Sequence, residues 1–332
     1  MNHPPPVLPV TYDDVLAAVP RVHDVLKPTP LFEWPGLGRL LGGRLFLKHE
    51  NHQPVGAFKV RGGINLLSTL SATERSAGVL GCSTGNHGQS LAYAASHFGC
   101  DCTIVVPEGN NPGKNRAMRQ LGATVIEQGR DFDEAREYIE QELATDGARY
   151  VHSANEPALI AGVGTLAWEI FEELPAPDAI LVPIGLGSGV CGTCLVARSR
   201  HPDTQVIGVQ ASGASAVARS WQNREWTTSE RAETWAEGMA TRVPAEMTLE
   251  IMTALMDDVL LVDDEDLRRA CHTLLLETHN LVEGAGAASL AAAVRYRDRF
   301  AGKTVVCILS GGNLDLAELP KVLAAAPFKA AD

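Results

Sequence analysis

The sequence predicts an α/β protein built on open parallel sheets with helices on both faces. Two observations carry this. Short β-branched runs alternate with amphipathic stretches almost from end to end, and the runs of the second half are near-continuously apolar, as strands covered on both faces must be. In chain order the strand-like runs are "RLFLKHE" at 44–50, "AGVLGCS" at 77–83, "CTIVVPE" at 102–108, "ATVIEQ" at 123–128 and "RYVHS" at 149–153. They continue with "AILVPIG" at 179–185, "QVIGVQ" at 205–210, "VLLVDD" at 259–264 and "KTVVCILS" at 303–310. Helical periodicity fills the intervals 87–98, 112–121, 131–144, 158–173, 264–279 and 286–299. No repeat or low-complexity tract interrupts the pattern, and "SWQNREWTTSERAETWAEG" at 220–238 reads as a polar surface excursion near the mouth of a site.

With 332 residues, 45% hydrophobic and 20% charged, the chain has room for two domains and a sizeable core. Its net charge of −12 opposes general affinity for nucleic acid or an anionic membrane, which leaves small-molecule work. No run reaches the roughly 18 apolar residues of a membrane span. The proline-rich start "MNHPPPVLPV" lacks the basic and apolar regions of a signal peptide, so a loose N-terminus and a cytoplasmic location are expected. Seven scattered cysteines make no disulfide framework, and they read as small buried hydrophobes. The pair Cys191 and Cys194 has no second pair or nearby histidine to complete a zinc site, and "HENH" at 49–52 reads as a polar loop after a strand.

Four glycine-centred turns stand where strands hand over to helices, the place at which open α/β sheets bind ligands. "GLGSG" at 185–189 can bring backbone amides to a phosphate, and Ser188 adds a hydroxyl. "STGNHG" at 83–88 offers hydroxyl, amide and imidazole donors at a helix start, a setting for a carboxylate. "EGAGAA" at 283–288 and "SGGN" at 310–313 complete the set. "GSGVCG" at 187–192 also fits G-x-G-x-x-G, but the next strand ends at Gln210 where a nicotinamide site wants an acid. A fifth feature is "NHQPVGAFKVRGG" at 51–63, where Lys59 lies between Phe58 and Val60: a solvated helix lysine, or a buried amine kept for chemistry.

Taken together, these motifs closely resemble the fold-type II pyridoxal-phosphate enzymes of the threonine/serine dehydratase and serine racemase group. "PTPL" (28–31), "GAFKVRGG" (56–63), "STGNHGQSLA" (83–92), "VPEGNNPGKNRAMRQLGA" (106–123), "ANEPALIAGVGT" (154–165), "VPIGLGSG" (182–189), "AEGMA" (236–240), "EGAGAA" and "SGGN" follow one another in order over about residues 20–325. The resemblance implies a tryptophan synthase beta-like fold, in which 1–76 plus 153–332 form a large cofactor-binding domain and 77–152 a small inserted one. It implies pyridoxal 5′-phosphate as cofactor, held by Lys59 as a Schiff base with Phe58 at the ring. Asn86 would meet the phenolic oxygen, and Gly185, Leu186, Gly187, Ser188 and Gly189 the phosphate. Glu283 would complete the cofactor site and Ser310 would face the pyridine nitrogen. Ser83, Thr84, Gly85 and His87 would surround the substrate carboxylate, with Lys59 and Thr84 as the catalytic pair. No metal is implied, and a homodimer is.

The chemistry of the residue types agrees with this. Apolar company and the start of a helix both disfavour an ammonium, so Lys59 is suited to shed its proton and act as a general base. The expected reaction is dehydration and deamination of a β-hydroxy amino acid, L-threonine or L-serine first, to a 2-oxo acid and ammonia through an aminoacrylate-type intermediate. Three departures bear on it. The phosphate loop is "GLGSG" where dehydratases run four glycines, Thr84 stands where racemases use serine, and Gln210 with "ASGAS" (211–215) replaces acidic cation ligands. The chain stops soon after "SGGN", which predicts no regulatory domain and a catabolic role. Alternatives are a dehydratase for hydroxyaspartate, phenylserine or a product of ectoine breakdown, a racemase, and a threonine-synthase-like enzyme. From other classes, a non-catalytic relative and a nicotinamide oxidoreductase remain. Arg242 is a candidate for a second substrate carboxylate, against the alternative of a surface residue.

Overall fold

The structure is a computed structural model that describes residues 8–143 and 147–329. The loose start expected at residues 1–7 lies outside the described residues. The strands are β1 Leu31–Glu33, β2 Arg44–Lys48, β3 Val79–Cys82, β4 Cys102–Val106, β5 Thr124–Glu127, β6 Arg149–Tyr150, β7 Ala179–Pro183, β8 Gln205–Ala211, β9 Asp258–Val262 and β10 Thr304–Ile308. They form a six-stranded sheet, β1-β2-β10-β7-β8-β9, and a four-stranded sheet, β5-β4-β3-β6. Every pairing is parallel except that of β1 with β2, where Leu31 faces Lys48.

The apolar runs of the large sheet sort their side chains with period two. Ala179 and Leu181 of β7, Ile207 and Val209 of β8, and Val305 and Cys307 of β10 enter one core, shared with the helices Asp264–Thr278 and Gly284–Arg295. Their neighbours Ile180, Val182, Val206, Val306 and Ile308 enter the core on the other face, with Pro157–Glu173 and Ser188–Arg200. Because both faces are covered, the strands carry no polar alternation. β3 and β4 share a third core with helices Lys59–Thr69 and Asn86–Phe98.

Each expected strand and helix has its counterpart, with trimmed ends. The run 149–153 shrinks to β6 because His152 turns the chain, its Nδ1 accepting the N–H groups of Ala154 and Asn155. Helix 131–144 splits into Phe132–Tyr138 and a π-helical turn, Ile139–Leu143. Among the additional elements are β1 and the helix Tyr12–His23, which Thr11 and Asp14 open with a reciprocal capping box and which buries Val15, Ala18 and Val22. The "HENH" segment is a correction. It is a turn, Glu50–His52, whose first half is not at the surface: His49 and Glu50 are buried, Glu50 accepting two hydrogen bonds from the buried Arg61 at 2.7 and 2.8 Å, while His52 is exposed. All seven cysteines are free and buried, and burial pushes the Cys191 and Cys194 thiols up.

Candidate active site

Lys59 opens the helix Lys59–Thr69, with Phe58 at the cap. The helix is pinched between two others at the paired glycines. A Cβ on Gly62 would stand 2.9 Å from the Leu159 carbonyl, and one on Gly63 would stand 2.5 Å from Ser90 Oγ. That same Ser90 hydroxyl donates to the Lys59 carbonyl at 2.6 Å. Two residues on, Arg61 is locked between Glu50 and Glu169, and Lys48 donates to Glu169 at 2.6 Å, all four side chains being fully buried or nearly so. The helix start is therefore fixed by charge as well as by packing.

The side chain of Lys59 is half-buried and its amine is poorly solvated. Its Nζ donates to Ser188 Oγ at 2.8 Å and to the Ser153 carbonyl at 3.2 Å, and lies 5.3 Å from the Phe58 ring centroid. Burial pushes its pKa down from 10.5 to about 8, outweighing an opposing influence of Cys191. The "GLGSG" loop reaches this point from β7. Gly187 holds φ at +105°, a left-handed conformation that glycine tolerates, and caps the helix Ser188–Arg200 without a side-chain hydrogen bond. A Cβ on Gly185 would meet the Gly238 carbonyl at 2.3 Å, and one on Gly189 would touch the Phe58 ring at 3.4 Å. The Leu186 carbonyl accepts the Thr248 hydroxyl, fixing the loop from behind.

"SGGN" closes the other side. The Ser310 carbonyl accepts the Phe58 N–H at 3.1 Å, Gly311 bridges to Ala57, and the buried Ser310 thereby stands beside the Lys59 loop. Asn313 Nδ2 donates to Asn86 Oδ1 at 2.8 Å, and Asn86 Nδ2 donates to Glu283 Oε1 at 2.6 Å. Burial pushes the Glu283 carboxyl up, against the hydrogen bond of Asn86 and the charge of Lys114. At the start of the helix Asn86–Phe98, Gly85 provides no side-chain cap and Ser83 Oγ accepts the Gly85 N–H at 3.1 Å. Thr84 is half-buried in this loop, and its carbonyl accepts from Asn110. His87 is buried against the Val151 carbonyl at 3.3 Å, so its Nε2 carries the proton. Burial, then the nearby Lys59, hold its pKa down to about 3, and it stays neutral.

Direct contacts thus link Lys59 with Ser188, Phe58 with Gly189 and Ser310, and Asn86 with Glu283. Arg242 does not join them: it reaches Asp131 at 3.3 Å and the Glu230 carbonyl at the surface. Gln210 is turned inward, its Oε1 accepting the Ala218 N–H. Among the described residues no group of three or more His, Cys, Asp or Glu side chains is placed to hold a metal. Missed by sequence reasoning are Ser153, Asn313 and the ion pair of Lys114 with Glu237, which forms one wall of a cavity of about 210 Å³ beside Glu283 and Gly284. Only the fold brings these together.

The donor set fits a phosphorylated aldehyde. An uncapped helix start behind Gly187 suits a phosphate, a poorly solvated amine suits a carbonyl, and Cβ-free backbone at Gly185 leaves no side chain in the cradle. Comparison with known proteins agrees. L-threonine ammonia-lyase of Thermotoga maritima is 36% identical over 314 residues, covering 95% of this chain and 78% of that protein. The processed form of threonine deaminase isoform 2 from Solanum lycopersicum superposes with a TM-score of 0.90 at 30% identity over 99% of both chains. Serine racemase from Dictyostelium discoideum superposes with a TM-score of 0.86 at 32% identity, over 92% of this chain and 99% of that one. The profile of the family described as pyridoxal-phosphate dependent enzymes matches residues 22–311, and the chain belongs to that family.

Proposed function

We propose that the protein is an ammonia-lyase that dehydrates and deaminates a β-hydroxy amino acid, L-threonine or L-serine, to a 2-oxo acid and ammonia. The observation that carries this is the poorly solvated amine of Lys59, 2.8 Å from Ser188 Oγ, in a chain that also presents the uncapped start of the helix Asn86–Phe98. Its relatives named L-threonine ammonia-lyase and threonine deaminase support the choice of substrate. Pyridoxal phosphate, when bound, supplies the electron sink for the pair released as the α-C–H bond breaks.

The chain's own residues do the rest. The N–H groups beyond Gly85, with the Ser83 and Thr84 hydroxyls, hold the substrate carboxylate at a helix N-terminus. Neutral His87 adds no competing charge there. Lys59, with its pKa near 8, is part-deprotonated at neutral pH and takes the α-proton on Nζ. The β-hydroxyl then leaves as water, the proton it gains balancing the one taken on Nζ, and addition of water to the remaining enamine, as its imine tautomer, releases ammonia and the 2-oxo acid. Asn86, braced by Asn313 and Glu283, would hold the cofactor ring, and Ser310 would meet its pyridine nitrogen.

A racemase reading has one observation in its favour, the Thr84 hydroxyl in the carboxylate loop of a chain that superposes on a serine racemase. We read 77–152 as a small domain set into a larger one, the whole acting in the cytoplasm as a homodimer. Phe32, half exposed, and Leu281 lie on one face, joined through the His49–His52 stack and Asn280, and they support pairing there. The test is a panel of β-hydroxy amino acids assayed with the cofactor-loaded protein for both 2-oxo acid and inversion. Release of 2-oxobutanoate from L-threonine or pyruvate from L-serine is expected. Inversion without 2-oxo acid would replace the lyase reading by the racemase one.

A further inference from the structure

We propose that Glu237 sets the charge preference of the site: paired with Lys114, it neutralises the ammonium beside the carboxylate loop and so selects substrates with uncharged side chains over those bearing a second carboxylate. This deepens the lyase reading and rests on it. Lys114 lies on the helix Pro112–Gln120, and its stem packs across the loop at Gly85, where a Cβ would stand 3.3 Å from Lys114 Cδ and 3.8 Å from Nζ. Its side chain is 13% exposed, against 44% for Glu237, and the two are in direct contact. The ammonium therefore sits within reach of any group bound in the loop, but its charge is already matched.

The rest of the cavity adds to this. Besides Lys114, its charged lining consists of Glu237, Glu283, Asp315 and Glu318, four carboxylates against one ammonium. Glu318 is offset by Lys321 at 2.7 Å and Arg268 at 3.7 Å, and burial pushes the Glu283 carboxyl up, so the Lys114–Glu237 pair and Asp315, which accepts from Asn111 at 2.8 Å, leave the pocket without a net positive charge. A substrate that brings a second carboxylate meets repulsion on entry, whereas a methyl group or a hydrogen meets none. Arg242, the cation that the sequence offered for such a group, points to Asp131 instead. Removing the charge of Glu237 frees Lys114 as a ligand for an anion.

Steady-state 2-oxo acid formation from L-threonine and from L-threo-3-hydroxyaspartate, with the cofactor-loaded wild type, Glu237→Gln and Lys114→Met, tests this. The wild type is expected to favour L-threonine. Glu237→Gln should shift the ratio of kcat/KM toward the diacid by about tenfold, chiefly through KM. Lys114→Met should weaken both substrates without that shift. A ratio in Glu237→Gln within twofold of the wild type, or a wild type that prefers the diacid, overturns the inference while the lyase reading stands. Absence of 2-oxo acid from both substrates overturns the lyase reading itself. A readout free of turnover judges the charge claim in that case: malonate should raise the melting temperature of Glu237→Gln more than that of the wild type, with acetate as the control, and equal shifts overturn it.

Discussion

At Lys59 the demands of chemistry and of folding oppose each other. Burial lowers this amine from 10.5 to about 8, so between those values the unfolded chain binds a proton that the folded one lacks, and stability rises with pH. Below pH 8 the folded state carries the full penalty, about 3 kcal/mol for a shift of that size. Lys59→Met, neutral and close in shape, is therefore expected to raise the stability of the cofactor-free protein at pH 7 by about 2–3 kcal/mol in urea denaturation, and to abolish turnover. An unchanged urea midpoint would show that the amine is hydrated in the folded state. The same residue was open to two readings in the sequence, because "AFKVRGG" reads equally as a helix with a solvated lysine. What decides it is the convergence of Ser188, Ser153 and Phe58, which lie up to 129 positions away.

At the scale of the element, the helix Lys59–Thr69 holds its place through Arg61. Lys48, Glu50, Glu169 and Arg61 form a buried charge cluster, and the charges of Arg61 and Lys48 hold Glu169 well below the usual carboxylate range although burial alone would raise it. Breaking such a cluster on one side leaves uncompensated charge, at a cost of about 3–5 kcal/mol. Arg61→Met is expected to lose that much in a denaturant titration, and a loss below 1 kcal/mol would show water reaching the cluster. None of this was legible in the sequence, where "RLFLKHE" reads as a strand and "HENH" as a polar loop after it, since charge pairing across 108 positions leaves no local pattern. The strands were legible, because β7, β8 and β10 are apolar on both faces. β1 was not, as a strand of three residues is too short to show a period. Pro20, inside the helix Tyr12–His23, masks its capping box and its Val15–Ala18–Val22 stripe.

For the whole molecule, the fold class and the order of the loops could be read from the alternation of runs, while the pairing of Lys114 with Glu237, 123 residues apart, could not. The molecule also has a built-in sensitivity to acid. Burial holds His87 down to about 3 and His152 to about 4, so from about pH 6.5 downward the unfolded chain takes up protons that the folded one refuses. These two imidazoles together remove roughly 4 kcal/mol by pH 5. Stability is thus expected to fall steadily below about pH 6.5 in melting curves taken from pH 8 to 4, and a flat profile to pH 5 would mean that both rings are solvated. The central claim, that this chain uses a poorly solvated lysine to eliminate water from a β-hydroxy amino acid, is tested most directly by 2-oxobutanoate release from L-threonine with the cofactor-loaded wild type and Lys59→Ala side by side. Steady release by the wild type and none by the variant is predicted. Equal rates from the two proteins, or no release from either, would contradict it.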